Sequence, residues 1–209
     1  MVRKINFRKS QYLGIALLVL FSIGIVRFTF HALSDAREIA LTLGEPWEDM
    51  RRRSSAVISP AIPDEIWFAM PKSDAKLRFI DPNHGFETPL ARFFTIGFID
   101  GRVRNIRISP QVEPLLLDDA LKVVLDLQDQ WRRHGWFVSR PKSDPPMEDT
   151  PEGRNRVQGV LGGRTYWQAE EKYQILLMLN RFQDDKHPNE ERYLISMSLA
   201  EPWAPRDED

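Results

Sequence analysis

Apolar and polar positions repeat with three different patterns along the chain, and each pattern predicts its own kind of element. Residues 12–26 read YLGIALLVLFSIGIV without a charge, and Phe28 and Phe30 resume the apolar character after Arg27. A run of about 20 residues that is apolar on every side predicts a helix crossing lipid rather than one packing by a single face. Its twelve Leu, Ile, Val and Phe residues favour insertion by about 4–7 kcal/mol, against about 3 kcal/mol for Arg27 at the bilayer centre and less near its edge. Tyr12, Leu17, Leu20, Phe21, Ile25 and Phe28 are the anchor residues of this segment.

Beyond the anchor, helical spacing of Ala36, Ile39, Ala40 and Leu43 predicts a short helix capped by Ser34 or Asp35 and stopped by Gly44. Glu45-Pro46 opens a second helical turn over Trp47–Arg53, with three arginines at its C-terminal end, where the helix dipole favours cations. Short strands broken by prolines follow at 56–59, 66–70, 77–80 and 93–99. Asp100-Gly101, between FFTIGFI and RVRNIRI, predicts a two-residue hairpin turn. Val103 shares a face with Ile106 and Ile108 only if one residue slips near Asn105, so a β-bulge is expected there.

The best amphipathic pattern is LLLDDALKVVLDLQDQWRRHGW. Leu117, Ala120, Leu121, Val124, Leu127 and Trp131 fall on one side of that helix, with Asp119, Lys122, Asp126, Asp129 and Arg133 opposite. Residues 139–164 lose periodicity and read as a long loop. Strict alternation returns at 172–182 and 192–200, which face each other across DDKHPNEE as an antiparallel hairpin, and 166–171 can add a further strand. The fold class is therefore α+β: an antiparallel sheet of about five to seven strands with one main amphipathic helix packed on it, preceded by the transmembrane helix. The segments are a basic N-terminus at 1–11, the anchor at 12–31, a body at 32–203 and an acidic tail at 204–209.

Charge sets the orientation. Arg3, Lys4, Arg8 and Lys9 precede the apolar run without an acidic residue, which keeps the N-terminus cytoplasmic and sends the body across the membrane. The alternative is a cleaved signal peptide, since Ala32-Leu33-Ser34 and Ser34-Asp35-Ala36 offer small-residue cleavage sites and would leave a soluble periplasmic body. Residues 1–27 hold five basic and no acidic side chains, so the formal charge of −1 leaves −6 for the rest. An acidic body argues against nucleic acid as a partner. With no cysteine in 209 residues, disulfides and thiolate chemistry are excluded.

Residue patterns for chemistry are sparse. There is no G-x-S-x-G elbow, no H-E-x-x-H pair and no Gly-rich loop ending in Lys-Ser or Lys-Thr, so an enzyme, a cofactor and a small-molecule substrate are not expected. The four histidines are scattered, and neither the 184–191 loop nor the 81–87 loop has the spacing of a metal site. The strongest functional candidates are Arg102, Arg104 and Arg107 on one predicted strand, with Arg92 nearby, because guanidinium forks suit carboxylates on a protein partner. The same arginines would also serve as a solvated outer sheet face.

The basic MVRKINFRKS start, the single anchor, and the stretches LGEPWEDM, FIDGRVRNIRISPQ and LLLDDALKVVLDLQDQWRRHGW form a layout that resembles the membrane-tethered periplasmic immunity proteins of bacterial type VI secretion systems. That resemblance implies an inner-membrane protein that binds a toxin acting in the periplasm, a lipase or phospholipase among the possibilities, and blocks it by occlusion. Immunity proteins share no common motif, so the resemblance assigns no residue. A structural or assembly component of an envelope complex has the same layout and is the alternative.

Overall fold

A computed structural model describes residues 37–62 and 65–207. The anchor residues Tyr12, Leu17, Leu20, Phe21, Ile25 and Phe28, and the caps at Ser34 and Asp35, lie outside the described residues. Among the described residues no helix is long and apolar enough to cross a membrane.

In chain order the elements are β1 (Glu38–Leu41), α1 (Trp47–Arg53), β2 (Trp67–Ala69), β3 (Lys76–Phe79), β4 (Phe86–Glu87), β5 (Phe94–Ile99), β6 (Arg102–Ile108), α2 (Leu117–Arg133), β7 (Phe137–Val138), α3 (Pro151–Gln158), β8 (Gly163–Ala169), β9 (Tyr173–Phe182) and β10 (Arg192–Ala200). Seven strands form an antiparallel sheet in the order β2-β5-β6-β10-β9-β8-β7, and three form a small sheet β1-β3-β4 in which β1 and β3 run parallel. The chain is thus α+β, with few helices and a mostly antiparallel sheet.

The core lies between the inner face of the large sheet and the layer made by α2, α3 and the small sheet. Phe94, Ile96 and Phe98 on β5, Val103, Ile106 and Ile108 on β6, Ile175, Leu177 and Leu179 on β9, and Ile195, Met197 and Leu199 on β10 all point inward and are buried, as period-two alternation requires. Helix α2 packs on β10 and β4 through the face anticipated from its spacing, and α3 packs on β8 and β9. An aromatic cluster ties the layers together: Phe79 and Phe86 of the small sheet meet Trp131 of α2, Trp136 and Tyr173 at ring distances of 5.1–6.5 Å.

The predicted hairpin is present. Asp100 and Gly101 both have positive φ, 51° and 68°, the backbone that a type I′ turn needs and that Gly adopts without strain. Gly97 pairs with Asn105 while Phe98 pairs with Val103, so Arg104 is the extra residue of a bulge one position from the expected place.

Three expectations are corrected. The segment read as a helix through Ile39 and Ala40 is strand β1, because Ile39, Ala40 and Leu41 are all buried and a helix would bury only one stripe. Its outward N–H groups are taken by side chains: Glu38 N donates to Ser55 Oγ (2.9 Å) and Ala40 N to Ser54 Oγ (3.0 Å). Within the 139–164 stretch, α3 begins at Pro151, with the Thr150 side chain accepting from Gly153 N at 3.1 Å. The stretch before it is held by Gln128 of α2, fully buried, whose amide pairs with both Met147 N (3.0 Å) and Met147 O (2.9 Å). Residues 56–59 form a single bridge, Ile58 to Pro71, rather than a strand.

Candidate functional site

The large sheet has a second face. Reading the register across it, Phe68, Gly97, Asn105, Ala200, Gln174 and Gln168 form one row, and Thr95, Arg107, Ser198, Leu176 and Tyr166 form the next. None of these side chains belongs to the core side, because their neighbours along each strand do. Small side chains pave the middle: Gly97, Thr95, Ser196, Ser198 and Ala200. Along one side stand Ile66, Phe68, Met70, Phe93 and Ile99, all exposed, with Phe68 at 58 %. A contiguous exposed apolar strip of this kind is what a soluble surface usually avoids unless something docks there.

The far side of this face is closed by the C-terminal segment. Gln174 Oε1 accepts from Trp203 N (3.1 Å) and Ala204 N (2.9 Å), and its Nε2 donates to Ala204 O (2.9 Å). The Trp203 ring meets Tyr166 edge-on. Asp207 accepts from Lys142 N, Ser143 N and Ser143 Oγ at 2.6–3.1 Å, and the Ser143 hydroxyl bond, the larger effect, together with those N–H groups holds its carboxyl below the ordinary range. The acidic tail is pinned through residue 207, and what stays open is the β2-β5-β6-β10 portion.

The four candidate arginines separate into two kinds. Arg104 meets Glu201 at 3.0 Å and Arg92 faces Asp74 at 3.6 Å, so their charges are matched within the chain. Arg102 donates to the Gly44 carbonyl (2.9 Å), a neutral acceptor, and Arg107 has no ion-pair partner among the described residues. Asn105 lies between Arg102 and Arg107 along β6. Two uncompensated guanidinium groups therefore rise from the open face, one strand away from the apolar strip. Arg92 instead sits at the end of this face, where a cavity of about 270 Å³ is bordered by Phe93, Phe182 and Leu194.

Other polar groups are used inside the fold. Burial works to raise the Asp81 carboxyl, but N–H groups of Asn83 and His84 and the Tyr173 hydroxyl outweigh it and hold it low. Burial, helped by the Asp81 charge, pushes the Tyr173 phenol up to about 12. His84 is buried, with Nδ1 at 2.8 Å from His134 O, and Trp136 Nε1 donates to His84 O (3.0 Å). The 81–87 stretch is thus a turn riveted to the end of α2. Asp184 is held low chiefly by His187, whose Nδ1 lies at 2.8 Å. Among the described residues no group of three or more Asp, Glu or His side chains could hold a metal ion.

No family model, curated protein or solved structure matches this chain. Its site is therefore read from its own surface. The arginines were visible in the sequence; their apolar partners were not singled out there. The signal was present in Ile66-Trp67-Phe68-Ala69-Met70, apolar on both sides of a strand, which marks either a fully covered strand or one whose second face awaits a partner.

Proposed function

We propose that this chain is a membrane-tethered, non-catalytic binding protein that captures a toxic effector on the far side of the membrane and blocks it by covering it, in the manner of an immunity protein. The observation that supports this reading best is the open face of the large sheet, where Arg102 and Arg107 on β6 lack carboxylates among the described residues and stand across β5 from exposed Ile66, Phe68 and Met70, with exposed Phe93 just before β5. Apolar anchors flanked by unpaired arginines are the usual composition of a protein-binding hot spot. The four open strands at about 4.8 Å spacing and about 20 Å of strand length give roughly 400 Å² in projection, about half of the roughly 800 Å² per partner that a stable complex covers. The N-terminal apolar run supports the location, and its basic flank supports the topology.

The test is rescue. Each gene flanking this one is expressed with a periplasmic export signal in a sensitive host, with and without the full chain. Growth arrest by one such product, relieved by this chain and not by a variant carrying Phe68→Asp and Arg107→Glu, is the expected outcome. Toxicity that the chain never relieves, together with stable co-purification with several envelope proteins, would replace this reading with that of an assembly component.

A further inference from the structure

Just before β8 the chain makes a projection that the open face does not explain. Between α3 and β8, Val160 is fully exposed and Leu161 is 90 % exposed. Two adjacent aliphatic side chains left in water at the tip of a loop are unfavourable unless they are covered in some other state.

The projection is firmly mounted. Val157, the residue of α3 before its last, is in the core, and Arg156 donates to Pro146 O at 3.0 Å. Gly162 N closes the turn on Gly159 O at 3.1 Å. Gly162 has φ +67° and lies so close to β9 that a Cβ there would fall 2.8 Å from Leu179 O, so this backbone path admits glycine alone. A preformed finger loses little conformational freedom when it is buried.

Its surroundings restrict what can cover it. A cavity of about 370 Å³ lies at its base, bordered by Ser143, Pro145, Arg156, Leu161 and Arg164. Arg164 is matched by Asp144 (2.6 Å), whereas Arg156 meets only a carbonyl. The acidic 184–191 loop stands alongside, joined to the end of α3 where Gln158 Nε2 donates to Glu191 Oε1 (3.4 Å). Asp184, Glu190 and Glu191 of that loop are matched by His187, Arg192 and Arg181, so Arg156 remains beside the finger as a cation without a carboxylate among the described residues. A protein cleft with an apolar floor and a carboxylate at its rim would satisfy Val160, Leu161 and Arg156 together.

We infer that the Val160-Leu161 finger inserts into an apolar cleft of the bound partner protein, with Arg156 meeting a carboxylate at the cleft's rim. This rests on the protein-binding reading above and adds a second point of attachment to the open face.

The full chain is expressed in its own membrane with the photo-crosslinker p-benzoylphenylalanine in place of Leu161, of Phe68 or, as a control on the solvent side of α2, of Lys122. Crosslinks from 161 and 68 to the same protein are expected. That protein, purified, should bind the full chain about 100-fold more weakly when Val160→Ser and Leu161→Ser are combined. A crosslink at 68 with none at 161 above the Lys122 control overturns the finger and leaves the open face standing. Crosslinks from 161 to phospholipid alone, or an affinity unchanged by the serine pair, also overturn it. Silence at both 161 and 68 overturns the finger and the protein-binding reading together.

Discussion

Gln128 is the polar residue whose removal has the most calculable effect. It lies on the inward side of α2, fully buried, and its amide is the partner of both the N–H and the C=O of Met147, itself 1 % exposed. Gln128→Leu keeps the volume nearly constant and removes both bonds, leaving two backbone groups buried without partners. Each such group costs about 1–3 kcal/mol, and partial relaxation of the 139–150 stretch reduces the sum to about 2–4 kcal/mol. For a domain of this size that is a fall in Tm of roughly 5–15 °C. Thermal and urea unfolding of the full chain in detergent, followed by tryptophan fluorescence, measures it. Gln128→Glu supplies a control with its own sign. Burial raises that carboxyl's pKa in the folded state, so the variant is most stable at low pH, where the protonated acid can still donate to Met147 O, and loses stability as pH rises. A loss below about 0.5 kcal/mol for Gln128→Leu would mean that Met147 is not anchored to α2, and the mounting of α3 described above would be wrong.

Other outcomes follow from single contacts. Tyr173, with its phenol pushed up to about 12 by burial and then by Asp81, contributes stability that is complete below about pH 10 and is lost between pH 10 and 12; Tyr173→Phe should flatten that alkaline limb, and an unchanged limb would refute the burial of the phenol. At the exposed Arg104–Glu201 pair, Arg104→Ala should change stability by less than about 0.5 kcal/mol, and a larger loss in chemical denaturation would show the bulge to depend on it. Gly101→Val places a β-branched residue at φ 68° and should cost about 1–2 kcal/mol by urea titration; no loss would mean that the turn is not type I′.

Elements with one strong pattern were legible in the chain. The α2 stripe, the β9 and β10 alternation and the Asp100-Gly101 turn each follow from local chemistry that the tertiary fold does not contradict. Ile39-Ala40-Leu41 failed because three consecutive apolar residues fit a fully buried strand as well as a helix, and only the small sheet decides between them. The 139–164 stretch failed differently: α3 has two buried residues, Gly153 and Val157, and is positioned by its Thr150 cap and by Gln128 rather than by an apolar period. The candidate site was half legible. Arginine spacing along β6 was plain, but which charges are already matched depends on Glu201 and Asp74, distant in sequence from Arg104 and near Arg92 only through the fold. The apolar strip needed the knowledge that β2 is an edge strand whose second face leaves Phe68 exposed.

The most direct test of the binding face is the affinity of the full chain for the effector it relieves, compared between wild type and the Phe68→Asp, Arg107→Glu pair, with Tm recorded for both. Both positions are exposed, so Tm should stay within about 1–2 °C while binding weakens by about 100-fold or more. Equal affinity at equal Tm would contradict a partner seated on the open face of the sheet.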